Sequence, residues 1–395
     1  MILPFHFSSI PHIIFGPGKL SELFEIILKF GKNVLFVIGE RSLKSSGKWD
    51  KIVSELNHRS IGYSKISVAG EPSPHLIDNS VGQFRNKNID LVVSIGGGSV
   101  IDAGKAISAM MLKKNSIKNY LEGIGHRIHD GNKIPFIAIP TTSGTGSEGT
   151  KNAVISEVGP DGFKKSLRHD NLIPNVAIID PELMISCPPS ITAACGMDSF
   201  TQLLEAYVSP KANPITDALA FSGLKYTSKN LLKACSTEST NVKVRTAMAY
   251  GSLISGITLA NAGLGIVHGL ASPIGGYFDI PHGVVCGTLL SEATKMNIKI
   301  LRESKNVGRE ALRKYAQAGA LIADKNIVDE EKINEYCSIL TDSLDKWTSQ
   351  LKLDRLGKYG INSEDVDKIL RKTGIKNNPV NLKKEYIREI IINRL

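Results

Sequence analysis

Short apolar runs rich in β-branched residues recur through the first half of the chain, at Asn33–Ile38, Asp90–Ile95, Ile134–Ile139 and Val176–Ile179. They are continuous rather than alternating, as strands covered on both faces are, and the stretches between them carry helical patterns. A parallel sheet with helices packed on it is predicted. After Ile179-Asp-Pro-Glu-Leu and Ser186-Cys-Pro-Pro-Ser190 the strand signals fade, and helical stretches dominate from Ala193 onward. This is the strongest break in the chain, so the predicted organisation is an α/β domain over residues 1–185 and an all-helical domain over 186–395. A length of 395 residues agrees with two or three domains.

Two glycine-rich loops follow predicted strands. Gly96-Gly97-Gly98-Ser99 comes directly after Asp90–Ile95 and opens a helical pattern containing Asp102. Consecutive glycines let a backbone approach a ligand closely, and a helix N-terminus presents unpaired N–H groups, which together suit a pyrophosphate. Ser99 and Asp102 also fit a Ser-x-x-Asp capping box, but a cap does not account for three glycines in a row. The second loop, Pro140-Thr-Thr-Ser-Gly-Thr-Gly-Ser-Glu-Gly149, formally contains G-x-G-x-x-G. The next segment, Thr150-Lys-Asn-Ala-Val-Ile-Ser156, is β-branched and not helical, so the usual dinucleotide context is missing. The loop's hydroxyls suit a polar cradle for a ribose or phosphate, and they equally suit a tight, Ser/Thr-capped turn.

Candidate metal chemistry lies in the helical half. His268 and His282, each followed by glycine, stand 14 positions apart, and imidazole is the commonest ligand of first-row transition ions. Upstream, Asp198 and Gln202 are spaced i, i+4, on one face of a helix. Singly, each is explained as a core or loop residue. As a set they point to a metal-binding catalytic cleft.

Charge changes this picture little. Lys and Arg exceed Asp and Glu by 48 to 38, a formal net charge of +10. The lysines are scattered singly and in pairs without a basic stripe, which argues against nucleic acid and leaves room for a phosphorylated small molecule. Five dispersed cysteines with no C-x-x-C pair give neither a disulfide framework nor a thiolate zinc motif. No signal peptide or membrane-length apolar run is seen, so a soluble, cytoplasmic protein without nucleic-acid or membrane partners is expected.

Taken in order, Gly-Gly-Gly-Ser-x-x-Asp, Pro-Thr-Thr-Ser-Gly-Thr-Gly-Ser-Glu, Gly-Met-Asp-Ser-Phe, His-Gly-Leu-Ala and Pro-His-Gly resemble the iron-containing (group III) alcohol dehydrogenases. The opening Ile13-Ile-Phe-Gly-Pro-Gly18 and the closing Asn377-Asn-Pro-Val-Asn extend the resemblance over essentially the whole chain. It implies the dehydroquinate synthase-like architecture: an N-terminal dinucleotide-binding α/β domain, an all-helical C-terminal domain, and a divalent metal between them. It also implies a homodimer acting on a small alcohol/aldehyde or ketone substrate. Asp198, His268 and His282 match three of the family's metal ligands and carry its catalytic role, whereas Gln202 stands where the fourth is usually His. Where members often carry a further His, this chain has Ser272. A neutral amide oxygen is a weaker ligand than imidazole. Iron is the expected metal, with zinc or manganese as alternatives. The cofactor residues implied are Gly39, Ser73, Gly96, Gly97, Gly98, Ser99, Asp102, Thr141, Thr142, Thr145 and Lys164. Gly39 stands where NAD-preferring members often have Asp, and Arg41, Ser42 and Lys44 follow, so NADP is expected in preference to NAD. Two other readings stay open: a dehydroquinate synthase-like lyase on the same fold, and a nucleotide-binding protein whose metal site has decayed.

Overall fold

In the computed structural model, residues 2–304, 308–325 and 329–395 are described. Among them the strands are β1 (His12–Phe15), β2 (Asn33–Gly39), β3 (Gly62–Val68), β4 (Leu91–Gly96), β5 (Phe136–Pro140), β6 (Asn152–Glu157), β7 (Phe163–Arg168) and β8 (Val176–Ile179). The first helices are α1 (Leu23–Leu28), α2 (Ser42–Ser45), α3 (Lys48–His58), α4 (Pro74–Phe84) and α5 (Gly98–Met110). Beyond the last strand come α6 (Pro189–Tyr207), α7 (Pro214–Ala234), α8 (Val242–Ala262), α9 (Ile266–Tyr277), α10 (His282–Glu303), α11 (Arg309–Ile322), α12 (Ile333–Gln350), α13 (Val366–Lys372) and α14 (Lys384–Ile392).

Six strands form one parallel sheet in the order β1-β8-β5-β4-β2-β3. Every residue of β4 is buried, which is why it reads as a continuous apolar run. Two separate clusters, one around Leu35, Val92 and Ile107 and the other around Phe36, Val93 and Ile137, bury the sheet's two faces. The chain runs from β2 out to the edge strand β3, then returns to the opposite side of β2 as β4. Strand order therefore reverses between β2 and β4, and ligands of open α/β sheets bind beyond the carboxyl ends of the strands at such a point. Here those ends are Gly39 and Gly96.

The antiparallel pair β6–β7 leaves this sheet and lies over α9 and α5, with Asp102 accepting the Val154 N–H at 3.1 Å. The Ser99/Asp102 capping box does not form: Gly97 is the N-cap of α5 without a side-chain cap, and Asp102 is spent on β6. The helical half has its own apolar cluster, running from Met184 through Phe200, Leu253, Leu270 and Leu289 to Ile391. No single helix among the described residues is long and apolar enough to cross a membrane.

Candidate metal and cofactor site

Three helices deliver the clustered ligand-type side chains. Asp198, Gln202 and Glu205 are spaced i, i+4 and i+7 on α6, and all three are buried on one face. His268 lies in the first turn of α9. His282 opens α10 and Cys286 follows one turn later on the same face. The close approach of α10 depends on two glycines. A Cβ at Gly283 would lie 2.4 Å from the Ala194 carbonyl oxygen, and one at Gly287 would lie 2.9 Å from Met197 Cβ. Without those side chains α10 closes onto α6 and brings His282 and Cys286 to Asp198.

The resulting cluster of Asp198, His268, His282 and Cys286 has its four ligand atoms within 4.8 Å of one another. Asp198 Oδ1 lies 3.3 Å from His268 Nε2 and 3.8 Å from His282 Nε2. Cys286 Sγ lies 3.6 Å from His268 Nε2 and 3.7 Å from His282 Nε2. A tetrahedral ion with metal–donor distances near 2.0–2.3 Å separates its donors by roughly 3.3–3.8 Å, so these four spacings match the edges of such a tetrahedron. Asp198 Oδ1 is buried with no hydrogen-bond partner, an arrangement costly for a carboxylate unless a cation faces it. The residues present fit a divalent metal.

Glu205 organises the cluster from behind. One carboxylate oxygen accepts the Val267 N–H and the other accepts from His268 Nδ1, both at 2.7 Å. Holding a proton on Nδ1 directs Nε2 into the cluster, where a metal would displace the second proton. The carboxylate also sits at the positive end of α9. Burial opposes ionisation of Asp198, but His268, itself held well above the usual imidazole range by Cys286, Asp198 and Glu205, outweighs it and holds the carboxyl down at about 2. Burial and the neighbouring Lys164 push His282 down to about 3, leaving its imidazole neutral. Burial pushes the Cys286 thiol up to about 12, so a metal entering here would displace its proton.

Gln202 lies beside the cluster with both ends of its amide hydrogen-bonded. Its amide nitrogen donates to Asp198 Oδ2 at 3.2 Å and its carbonyl oxygen accepts from Ser255 Oγ at 3.1 Å. Ser272 donates its hydroxyl to the Lys164 carbonyl at 2.9 Å.

A cavity of about 170 Å³ joins this cluster to the glycine loop, lined by Gly98, Ser99, Asp102, Thr145, Lys164, Gln202, His268 and His282 among others. A Cβ on Gly98 would strike Thr145 Oγ1 at 2.5 Å, and Thr142 Oγ1 lies 3.5 Å from the corresponding position of Gly97. Thr141 N–H bonds the Gly96 carbonyl, tying the two loops together. The second loop's own glycines have a different use. Gly146 adopts φ +59°, and a Cβ there would meet the Ser252 carbonyl of α8 at 2.3 Å. Those glycines dock the loop against the helical half, and β6 comes next instead of a helix, as the β-branched sequence predicts. Gly39 closes β2 at the sheet's reversal point. Ser73 is further off, serving as the N-cap of α4 by accepting the Leu76 N–H.

Sequence reasoning missed Cys286 and Glu205. Both were legible as helical spacings, Cys286 four residues after His282 and Glu205 seven after Asp198.

Comparison with known proteins identifies the family. The iron-containing alcohol dehydrogenase family model matches residues 11–181, and its C-terminal counterpart matches residues 192–395. Long-chain-alcohol dehydrogenase 1 of Geobacillus thermodenitrificans is 38% identical over 291 residues, covering 71% of this chain and 72% of its own. The NAD-dependent methanol dehydrogenase of Bacillus methanolicus is 29% identical over 359 residues, covering 90% and 92%. A crystal structure of 1,3-propanediol oxidoreductase superposes with a TM-score of 0.87 at 28% identity, covering all of both chains. With both halves matched and the ligand-bearing helices in place, the chain belongs to the iron-containing alcohol dehydrogenase family.

Proposed function

We propose that this chain exchanges a hydride between a nicotinamide cofactor and a small alcohol/aldehyde pair, with a divalent metal held by Asp198, His268, His282 and Cys286. The observation that carries the reading is the four-donor cluster at the inner end of a cavity whose other end is the Gly96–Ser99 loop. When bound, the metal supplies Lewis acidity to the alcohol or carbonyl oxygen and the nicotinamide supplies the redox chemistry. The protein's own part is placement. Gly96, Gly97 and Gly98 admit the pyrophosphate to the start of α5, while Thr141, Thr142, Thr145 and Lys164 surround the ribose end. Glu205 holds the His268 ring, and Gln202 orients Asp198 by donating to its second oxygen. The same family membership favours this oxidoreductase reading over a lyase on the same fold.

Two finer assignments belong to the same proposal. Cys286, rather than Gln202, is the fourth donor, which shifts preference from iron toward zinc because thiolate is a soft ligand. NADP(H) is preferred over NAD(H): β2 ends at Gly39 with no carboxylate there, and exposed Arg41, Ser42 and Lys44 follow. The five cysteines are all free, which supports a reducing compartment such as the cytoplasm. The test is metal-loaded protein assayed for NADPH and NADH oxidation with short aldehydes. Absence of turnover in protein shown to contain metal and to bind cofactor would refute the proposal.

A further inference from the structure

A second cavity of about 400 Å³ continues outward from the metal cluster, sharing Lys164, Ser166, Arg168, Ser272 and Lys376 with the inner one. Its wall carries five cations, Lys151, Lys164, Lys165, Arg168 and Lys376, against a single carboxylate, Glu122. Lys164, Ser166 and Arg168 are alternate residues of β7 and so point to one side of the β6–β7 hairpin. Three of the cations already have carboxylate partners: Lys164 with Glu71 at 3.1 Å, Arg168 with Glu122 at 3.3 Å and Lys151 with Asp170 at 2.6 Å. Lys165 and Lys376 make no ion pair among the described residues. Lys376 is also held at φ +54°, a left-handed conformation that costs a non-glycine residue energy and is kept where the surroundings require it. Lys376 lines the inner cavity with His268 and His282, and burial, offset in part by Glu205, holds its pKa below the usual lysine range.

The cofactor accounts for Lys164 but not for Arg168 and Lys376. Its pyrophosphate belongs at Gly96–Ser99, and a 2′-phosphate belongs near Gly39 and Arg41, both at the sheet's reversal point. Arg168 and Lys376 line the inner cavity together with His268 and His282, where the reacting carbon must sit. A further cavity of about 750 Å³ continues the pattern, lined by Lys164, Lys165 and the α13 residues Lys368, Arg371 and Lys372 against a single carboxylate, Asp161. Converging charge of one sign in a cleft raises the local concentration of oppositely charged solutes.

We propose that the substrate is a short aldehyde carrying an anionic tail, its carbonyl directed to the metal cluster and its tail held by Lys376 and Arg168. A doubly charged phosphonate or phosphate matches the Lys376 ammonium beside the Arg168 guanidinium better than a singly charged tail does. The inference rests on the oxidoreductase reading above. In the reaction the aldehyde carbon gains a hydride and its oxygen a proton, the reduced nicotinamide is oxidised, and the tail is unchanged.

The experiment compares kcat/KM for phosphonoacetaldehyde, sulfoacetaldehyde and succinic semialdehyde with that for 3,3-dimethylbutanal, whose tert-butyl group is a neutral isostere of the phosphonate. An advantage of about 100-fold for the phosphonate is expected, shrinking as salt is added. In Lys376→Met and Arg168→Met, KM for the anionic aldehyde is expected to rise about 10- to 100-fold with kcat changed far less. Equal kcat/KM for the anionic and neutral aldehydes overturns this proposal and leaves the alcohol dehydrogenase reading standing. Turnover of none of them, in protein that binds metal and cofactor, overturns both.

Discussion

Cys286→Ser is the substitution that separates the fourth-donor assignment from its alternative. Serine keeps the side chain's size in a fully buried position, so packing around α6 and α10 is preserved while the thiolate is lost. A structural four-donor zinc site binds with about 10–16 kcal/mol, so one donor of four accounts for about 2–4 kcal/mol, a loss of roughly 30- to 700-fold in affinity. Zinc affinity is measured by equilibrium dialysis against a competing chelator. Cobalt substitution gives a second readout, because thiolate-to-cobalt charge transfer absorbs in the near ultraviolet and an alkoxyl or water donor does not replace it. The wild type is expected to show that band and the variant to lack it, with thermal unfolding close to unchanged in the metal-free proteins. Equal zinc affinity in the two proteins, or a cobalt spectrum without the charge-transfer band in the wild type, would rule out ligation by Cys286.

Gln202→His in the Cys286→Ser background is expected to restore metal affinity by at least about tenfold, since it adds an imidazole one turn from Asp198 on the same buried face; no recovery on dialysis would mean that position 202 points away from the ion. Glu205→Gln is expected to lower metal affinity about 10- to 100-fold by removing the charged partner of His268 Nδ1, read from the same titration. Lys105→Met should destabilise the fold by about 2–4 kcal/mol in denaturant unfolding, because the buried ammonium donates to the carbonyls of Ser147, Thr150 and Asn152 and would leave them unpaired. For cofactor choice, kcat/KM is expected to favour NADPH, and Arg41→Ala should reduce that preference; a preference for NADH, or no effect of the substitution, argues against a 2′-phosphate site after β2.

The strands read correctly from sequence are the interior ones, and the reason is burial on both faces. Strands β2, β4, β5 and β8 sit inside the sheet and are almost wholly buried, so their sequences are unbroken apolar runs. The two edge strands escaped. In β3, Gly62-Tyr-Ser-Lys-Ile-Ser-Val68, most residues are partly or fully exposed, and β1 has only four residues. In the hairpin, β6 read as β-branched and not helical, whereas β7 escaped, because it forms no part of the main sheet and carries the polar Lys164, Ser166 and Arg168 face of the outer cavity. The site divided in the same way. Residues set in motifs, Asp198, His268 and His282, could be named from spacing and resemblance, and the structure brings them together. Cys286 could not, because a lone buried cysteine is ordinarily a small core residue. It becomes a candidate donor only once Gly283 and Gly287 have let α10 approach α6 and placed its sulfur at tetrahedral-edge distance from both imidazoles. Gln202 shows the converse. Sequence position put it at the ion, while its hydrogen bonds to Asp198 and Ser255 commit both ends of the amide. An amide stands on α6 where an imidazole is usual, and a thiol stands on α10 within reach of the same point; the two features make chemical sense as a pair, which neither does alone.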